Sequence, residues 1–232
     1  MKLEKTINMP RLPGRSYDDA CGAAHALDLI GERWALLVMR ELMLGPLRFS
    51  DLRAALPGIS ANVLTQRLEG LEGIGALAKR KLPPPSGAQV YELTPWGYEA
   101  EPIMQALGRW ATRSPLHDPT LPLSATSLML SFRTMFDPAR AEGFEARVGF
   151  RLDGTDHAVQ IRKGRIEAAR EPVGNAAAVF IGTPPLIAAA VYGGVPLAAL
   201  EAGGGLAVEG YRTIAERFVT LFPLPPKTTA GE

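Results

Sequence analysis

Residues 57–82, PGISANVLTQRLEGLEGIGALAKRKL, decide the fold of this chain. Pro57-Gly58 makes a turn, and Ser60 is placed to cap a helix by accepting a backbone N–H. Leu64, Leu68 and Leu71 recur at four and three residues, so they share one buried stripe. The opposite face carries Asn62, Thr65, Gln66 and Glu69, with Val63 at its margin. Gly73 and Gly75 stop the helix. The period then changes to two, with Leu77, Lys79 and Lys81 alternating with Ala78, Arg80 and Leu82 as in a strand.

Upstream, residues 23–45 (AAHALDLIGERWALLVMRELMLG) supply two helical faces on either side of Gly31. One is Ala26, Leu27 and Ile30; the other is Leu36, Leu37, Met39, Leu42 and Met43. Gly45-Pro46 ends the second helix. RFSDLRAAL (48–56) follows as a short third helix, with Ser50 as its expected cap and Leu52 and Leu56 turned inward. Downstream, PPPSG (83–87) cannot continue a ladder and forms a tip. Val90, Tyr91 and Leu93 form the returning strand. Thr94 then caps a last helix, with Pro95 at its first position, running through Ile103, Leu107 and Trp110. This order is a helix-turn-helix followed by a hairpin wing, an arrangement that sets one helix in the DNA major groove.

The residue types suit that use. Asn62 and Gln66 can pair with adenine edges, and the methyls of Val63 and Thr65 can meet the thymine methyl. Ser60 stands at the helix N-terminus, where free backbone N–H groups favour phosphate. Arg67 flanks the buried stripe and has two readings, a phosphate contact or an internal salt bridge. Lys79, Arg80 and Lys81 form the densest basic cluster of the chain. They are suited to backbone phosphates beside the groove; the alternative is lysine protection of an edge strand. Arg48 on the third helix is a further candidate for the DNA backbone. The plain alternative for the polar helix face is a solvated surface; the turn before it and the basic hairpin after it favour base reading.

The run from Cys21 to Leu77 resembles the HxlR family of bacterial winged-helix regulators. The marks are Ile30, Gly31, Arg33 and Trp34; Arg40, Glu41, Leu42 and Gly45; Arg48, Phe49 and Leu52; Gly58 to Ser60; Leu64, Arg67, Leu68 and Leu71; and the later YELTPWG. The likeness covers roughly residues 18–112. It implies a MarR-like winged helix and a homodimer pairing through the first and last helices. It also implies double-stranded operator DNA as partner, held by two recognition helices and two wings. The family's Cys-Pro dipeptide is Cys21-Gly22 here. Some relatives use a cysteine at this place as a redox or electrophile sensor. A thiol at a helix N-terminus gains thiolate character, which Asp18 and Asp19 oppose; an unreactive, half-buried Cys21 is the other reading.

The chain has 232 residues and 47% hydrophobic residues, enough for two small domains. A net charge of +1 argues against a strongly electrostatic polyanion binder while leaving room for a local patch. A single cysteine excludes an internal disulfide and fits a reducing compartment. The N-terminal residues lack an apolar signal core, and the longest apolar run, 186–200, is too short to span a bilayer and is broken by Gly193, Gly194 and Pro196. A cytoplasmic protein without membrane association is expected. In the tail, 1–16, Lys2, Lys5, Arg11 and Arg15 either touch phosphates or are simply solvated.

Residues 114–124 (SPLHDPTLPLS) hold three prolines and are read as a linker between a DNA-binding domain at 17–113 and a second domain at 125–226. The second has a helix near 127–136, then strands at 146–152, 157–162, 165–169 and 177–181. Asp153-Gly154 and Lys163-Gly164 stand at hairpin turns. Helices near 184–192 and 196–202, a strand at 206–208 and a closing helix at 211–222 complete it. No catalytic, cofactor or metal constellation is evident: His25, His117 and His157 are far apart, and the 203–205 glycines precede a strand rather than a helix. The pattern of a strand, TPP-L, a helix, GG-x-P-L and L-x-V-EG is similar to the sterol-carrier-protein-like fold. That likeness implies an apolar tunnel, with Phe132, Phe150, Phe180, Leu186, Val191, Tyr192, Leu197 and Phe218 either lining it or filling a solid core.

The expected protein is therefore α+β, with an N-terminal winged helix-turn-helix domain followed by a sterol-carrier-like α+β domain. It is read as a dimeric, non-enzymatic DNA-binding regulator whose second half binds a small hydrophobic ligand or supports dimerisation. The rival is a carrier of hydrophobic ligands whose winged helix serves protein contacts.

Overall fold

The computed structural model describes residues 16–228; Lys2, Lys5, Arg11 and Arg15 of the tail lie outside them. Two compact units are present. The first comprises residues 16–42 and 46–98, and the second residues 43–45 and 99–228.

In the first unit, α1 (Gly22–Ile30) and α2 (Ala35–Leu42) are joined by a turn in which Trp34 takes φ +79°. A bulky residue in the left-handed region costs about 1–3 kcal/mol, so neighbouring contacts must hold it there. Helix α2 buries Ala35, Val38, Met39 and Leu42, while Leu37, expected inside, is exposed. The apolar face is centred one position further round the helix. Helix α1 buries none of its residues.

Helix α3 (Phe49–Ala55) is not capped by Ser50. The helix begins at Phe49, the Asp51 carboxylate accepts the Arg48 N–H at 3.3 Å, and the Ser50 hydroxyl donates to Asp51 at 3.0 Å. The charged acceptor takes the capping place. Helix α4 (Ala61–Gly73) follows, packed on α2, and leads into antiparallel strands β1 (Leu77–Lys81) and β2 (Gln89–Leu93).

The expected last helix is two helices, α5 (Pro95–Tyr98) and α6 (Glu101–Ala111). Pro102 explains the break: a proline has no N–H for a helix interior but suits the first turn of a new helix. Helix α6 packs on α7 (Ala125–Met135) in the second unit. Arg133 Nη1 donates to both Glu101 carboxylate oxygens at 2.8 and 2.9 Å, and Arg109 donates to the Thr134 carbonyl. The units therefore divide before Glu99, and the Pro-rich 114–124 stretch lies inside the second.

After α7 come β3 (Ala146–Leu152), β4 (Thr155–Arg162), β5 (Arg165–Ala169), β6 (Ala178–Gly182), α8 (Pro184–Val191), α9 (Leu197–Ala202), β7 (Leu206–Gly210) and α10 (Arg212–Phe218). The sheet order is β5-β4-β3-β6-β7; β3 and β6 are parallel and the other pairs antiparallel. Alternation puts Val148, Phe150, Val159, Ile161 and Phe180 into the core with α7, α8 and α10. On the other face Gly149 lies against Val173, leaving no room for a Cβ.

Candidate nucleic-acid interface

The recognition helix is positioned by short local devices. Ser60 caps α4, its hydroxyl accepting the Val63 N–H at 3.2 Å. Gly58, at φ +92°, makes the turn before it, and a Cβ there would lie 3.9 Å from the Trp34 ring. Trp34 thus abuts the turn that enters α4. Leu64, Leu68 and Leu71 are buried, and their burial fixes the helix rotation. Asn62, Thr65, Gln66 and Glu69 are exposed on the other side, and Val63 is half-buried. The outward face consequently offers two carboxamides, a hydroxyl-methyl and one carboxylate, with Ser60 exposed at its start.

Arg67 turns to the side. Its Nη1 lies 3.3 Å from a Glu32 carboxylate oxygen, and its Nε is buried without a hydrogen-bond partner. In the wing, Lys79 pairs with Glu72 at 3.4 Å and stands 5.9 Å from the centre of the Tyr91 ring. Arg80 pairs with Glu92. Lys81 is exposed opposite Gln89. Arg48 donates to the Ser86 hydroxyl at 3.3 Å, tying the start of α3 to the wing tip. The wing is also held by a bridge between Leu47 and Tyr91, with N···O distances of 3.0 and 2.8 Å. At its base the Thr94 hydroxyl donates to the Gly75 carbonyl at 2.8 Å and accepts the Gly97 N–H at 3.1 Å.

Sequence reading missed Glu32, Glu72, Glu92 and Ser86, which contact the expected binding residues. For Glu72 and Glu92 the one available signal is opposite charge near a basic strand, and for Glu32 and Ser86 there is none; the pairing itself depends on strand register and tertiary packing.

Cys21 is exposed and is the N-cap residue of α1. Backbone N–H groups of Ala24 and Ala23 hold its thiol below the ordinary value. The Asp19 carboxylate, 2.9 Å from the Cys21 nitrogen, accepts that N–H.

In the second unit, Phe132, Phe150, Phe180 and Phe218 are fully buried and, with Phe222, pack against one another at centroid distances of 4.7 to 6.0 Å, Phe150 and Phe180 stacked and the other pairs tilted or edge-on. Those are contact distances, so the rings fill the centre. Val191 and Leu197 are also buried, Leu186 and Tyr192 are half-buried, and the Tyr192 hydroxyl lies 2.6 Å from that of Ser131. Among the described residues there is no group of His, Cys, Asp and Glu that could hold a metal ion.

A helix-turn-helix with an exposed polar second helix and a basic hairpin beside it defines the winged helix-turn-helix class. Residues 29–117 match the HxlR-like helix-turn-helix family, and the chain belongs to it. The chain is 37% identical over 87 residues to the uncharacterized HTH-type transcriptional regulator YvaP of Bacillus subtilis (strain 168), spanning 38% of this chain and 81% of that protein. It is 34% identical over 86 residues to the HTH-type transcriptional regulator YodB of the same organism, spanning 37% of this chain and 77% of YodB. A solved structure of reduced YodB covers 43% of this chain and all of that one, at 30% identity and a TM-score of 0.39. The family is one of transcriptional regulators rather than enzymes. Residues 118–228 lie beyond the family match. No helix among the described residues is long and apolar enough to cross a membrane.

Proposed function

We propose that the chain is a homodimeric, sequence-specific DNA-binding regulator of the cytoplasm, with residues 17–113 as its DNA-binding module. The observation that carries this reading is the division of α4 into a buried leucine stripe and an exposed carboxamide face. Asn62 and Gln66 read base edges, Val63 and Thr65 contact thymine methyls, and Ser60 lies against a phosphate. Lys79, Arg80, Lys81 and Arg48 contact the backbone. Arg67, held by Glu32, supports α4 rather than touching DNA.

The second unit has two readings, an apolar effector site of sterol-carrier type or a contribution to the dimer. The contact-packed rings favour the second, because an apolar ligand would have to displace aromatic side chains from one another. An apolar stripe on α6, exposed in the same unit, supports it further.

The test begins by enriching a duplex from a random pool with the full chain. Asn62→Ala and Gln66→Ala should each weaken binding to the enriched duplex by about 1–3 kcal/mol and leave random duplex nearly unaffected. Joint Lys79, Arg80 and Lys81→Ala should weaken both and flatten the salt dependence. Failure to enrich any sequence, or equal loss on both duplexes from the α4 variants, would reject base reading by this helix.

A further inference from the structure

Two of the wing's three cations are paired with carboxylates of the same subunit. Glu72, on the last turn of α4, holds Lys79, and Glu92, on β2, holds Arg80 across the hairpin. The first pair is open to water, its side chains 41% and 38% exposed; in the second Arg80 is 66% exposed while Glu92 is 24% exposed, so the cation of each pair is within reach of a phosphate. Surface ion pairs of this kind add little to stability and exchange partners readily. A carboxylate oxygen occupies the place at each cation that a phosphate oxygen would take. Lys81 differs, since its register partner is the neutral Gln89.

We propose that Glu72 and Glu92 are internal competitors for DNA phosphate, setting the wing's affinity below what its three cations would deliver alone. The inference rests on the DNA-binding reading above. In the free protein each glutamate holds one wing cation. On binding, phosphate oxygens replace the carboxylates, and the released carboxylates remain near the backbone as like charges. Backbone affinity carries no sequence information, so lowering it raises the share of binding that depends on bases read by α4. The two glutamates thereby tune specificity without touching a base.

The experiment measures binding of the full chain to a random-sequence duplex of about 30 base pairs between roughly 50 and 200 mM salt, the range where phosphate contacts are most visible. Glu92→Gln and Glu72→Gln keep side-chain shape and remove charge. Each should bind about 2- to 5-fold tighter at low salt. The gain from Glu92→Gln should vanish with Arg80→Ala, and that from Glu72→Gln with Lys79→Ala; both gains should survive Lys81→Ala. Unchanged or weaker binding by the Gln variants overturns the proposal. So does a gain that persists without the paired cation, which would mark general repulsion instead of competition. If the wild-type chain binds no duplex, the DNA-binding reading fails along with this one; if it binds and the Gln variants match it, only the competition fails.

Discussion

His157 shows what one residue can do to a small core. It lies on β4 facing inward, 1% exposed, and neither ring nitrogen has a hydrogen-bond partner among the described residues. Burial, with the charge of Arg170 second, pushes its pKa down to about 4; the Thr155 backbone and Asp156 act in the other direction. The unfolded chain takes up a proton near pH 6.5, while the folded protein resists until about pH 4. The stability held by the neutral ring is thus intact above pH 6.5 and is lost as pH falls toward 4. Urea unfolding followed between pH 7 and 4.5 should show a loss of roughly 2 kcal/mol that His157→Leu abolishes. An identical pH slope in the variant would assign the loss to other groups.

At the scale of elements, the join between α4, the wing and α5 is the tightest in the first unit. A Cβ on Gly97 would lie 2.0 Å from the Ala76 carbonyl oxygen and 3.2 Å from Leu93 Cβ, and the backbone oxygen is held by the Thr94 N–H at 3.0 Å. Gly97→Ala should cost about 3 kcal/mol or more in chemical denaturation. Gly70→Ala has nothing within 4 Å of the new methyl and sits inside α4, so it should stabilise by up to about 1 kcal/mol. Similar effects from the two would mean that the clash relaxes freely. Features of this kind divide what sequence can disclose from what it cannot. Ser60, the leucines of α4 and the change to period two are local, and so were legible. So were Asp153-Gly154 and Lys163-Gly164, turns with both residues at positive φ. Pro102 was a visible break that the apolar spacing of Ile103, Leu107 and Trp110 overrode. The pairs Glu72–Lys79 and Arg67–Glu32, the strand order and the aromatic packing depend on long-range register, which no local period encodes.

For the whole molecule, the decisive question is what covers the apolar side chains left in water. Tyr17 and Leu27, before and on α1, are 64% and 54% exposed; Ile103, Leu107 and Trp110 on α6 are 50%, 45% and 74% exposed. The α6 residues fall at intervals of four and three, so they form one outward stripe. Single exposed apolar residues need no explanation, but a continuous stripe on a helix does. A second copy suits it: a regulator that reads two half-sites one helical turn apart needs two-fold symmetry. A stable dimer needs about 800 Å² buried per partner, more than one helix face supplies, so α6 should be one part of a larger interface. The 232-residue chain should therefore sediment at twice its own mass. Leu107→Glu with Trp110→Glu places unpaired charge where the partner would lie, and should give a folded monomer by sedimentation and circular dichroism. Its affinity for an enriched operator should fall by at least about ten-fold, because the second half-site is no longer tethered. Its contact with random duplex should change far less. A wild-type monomer, or a double variant that stays dimeric, would show that the stripe on α6 serves some other contact.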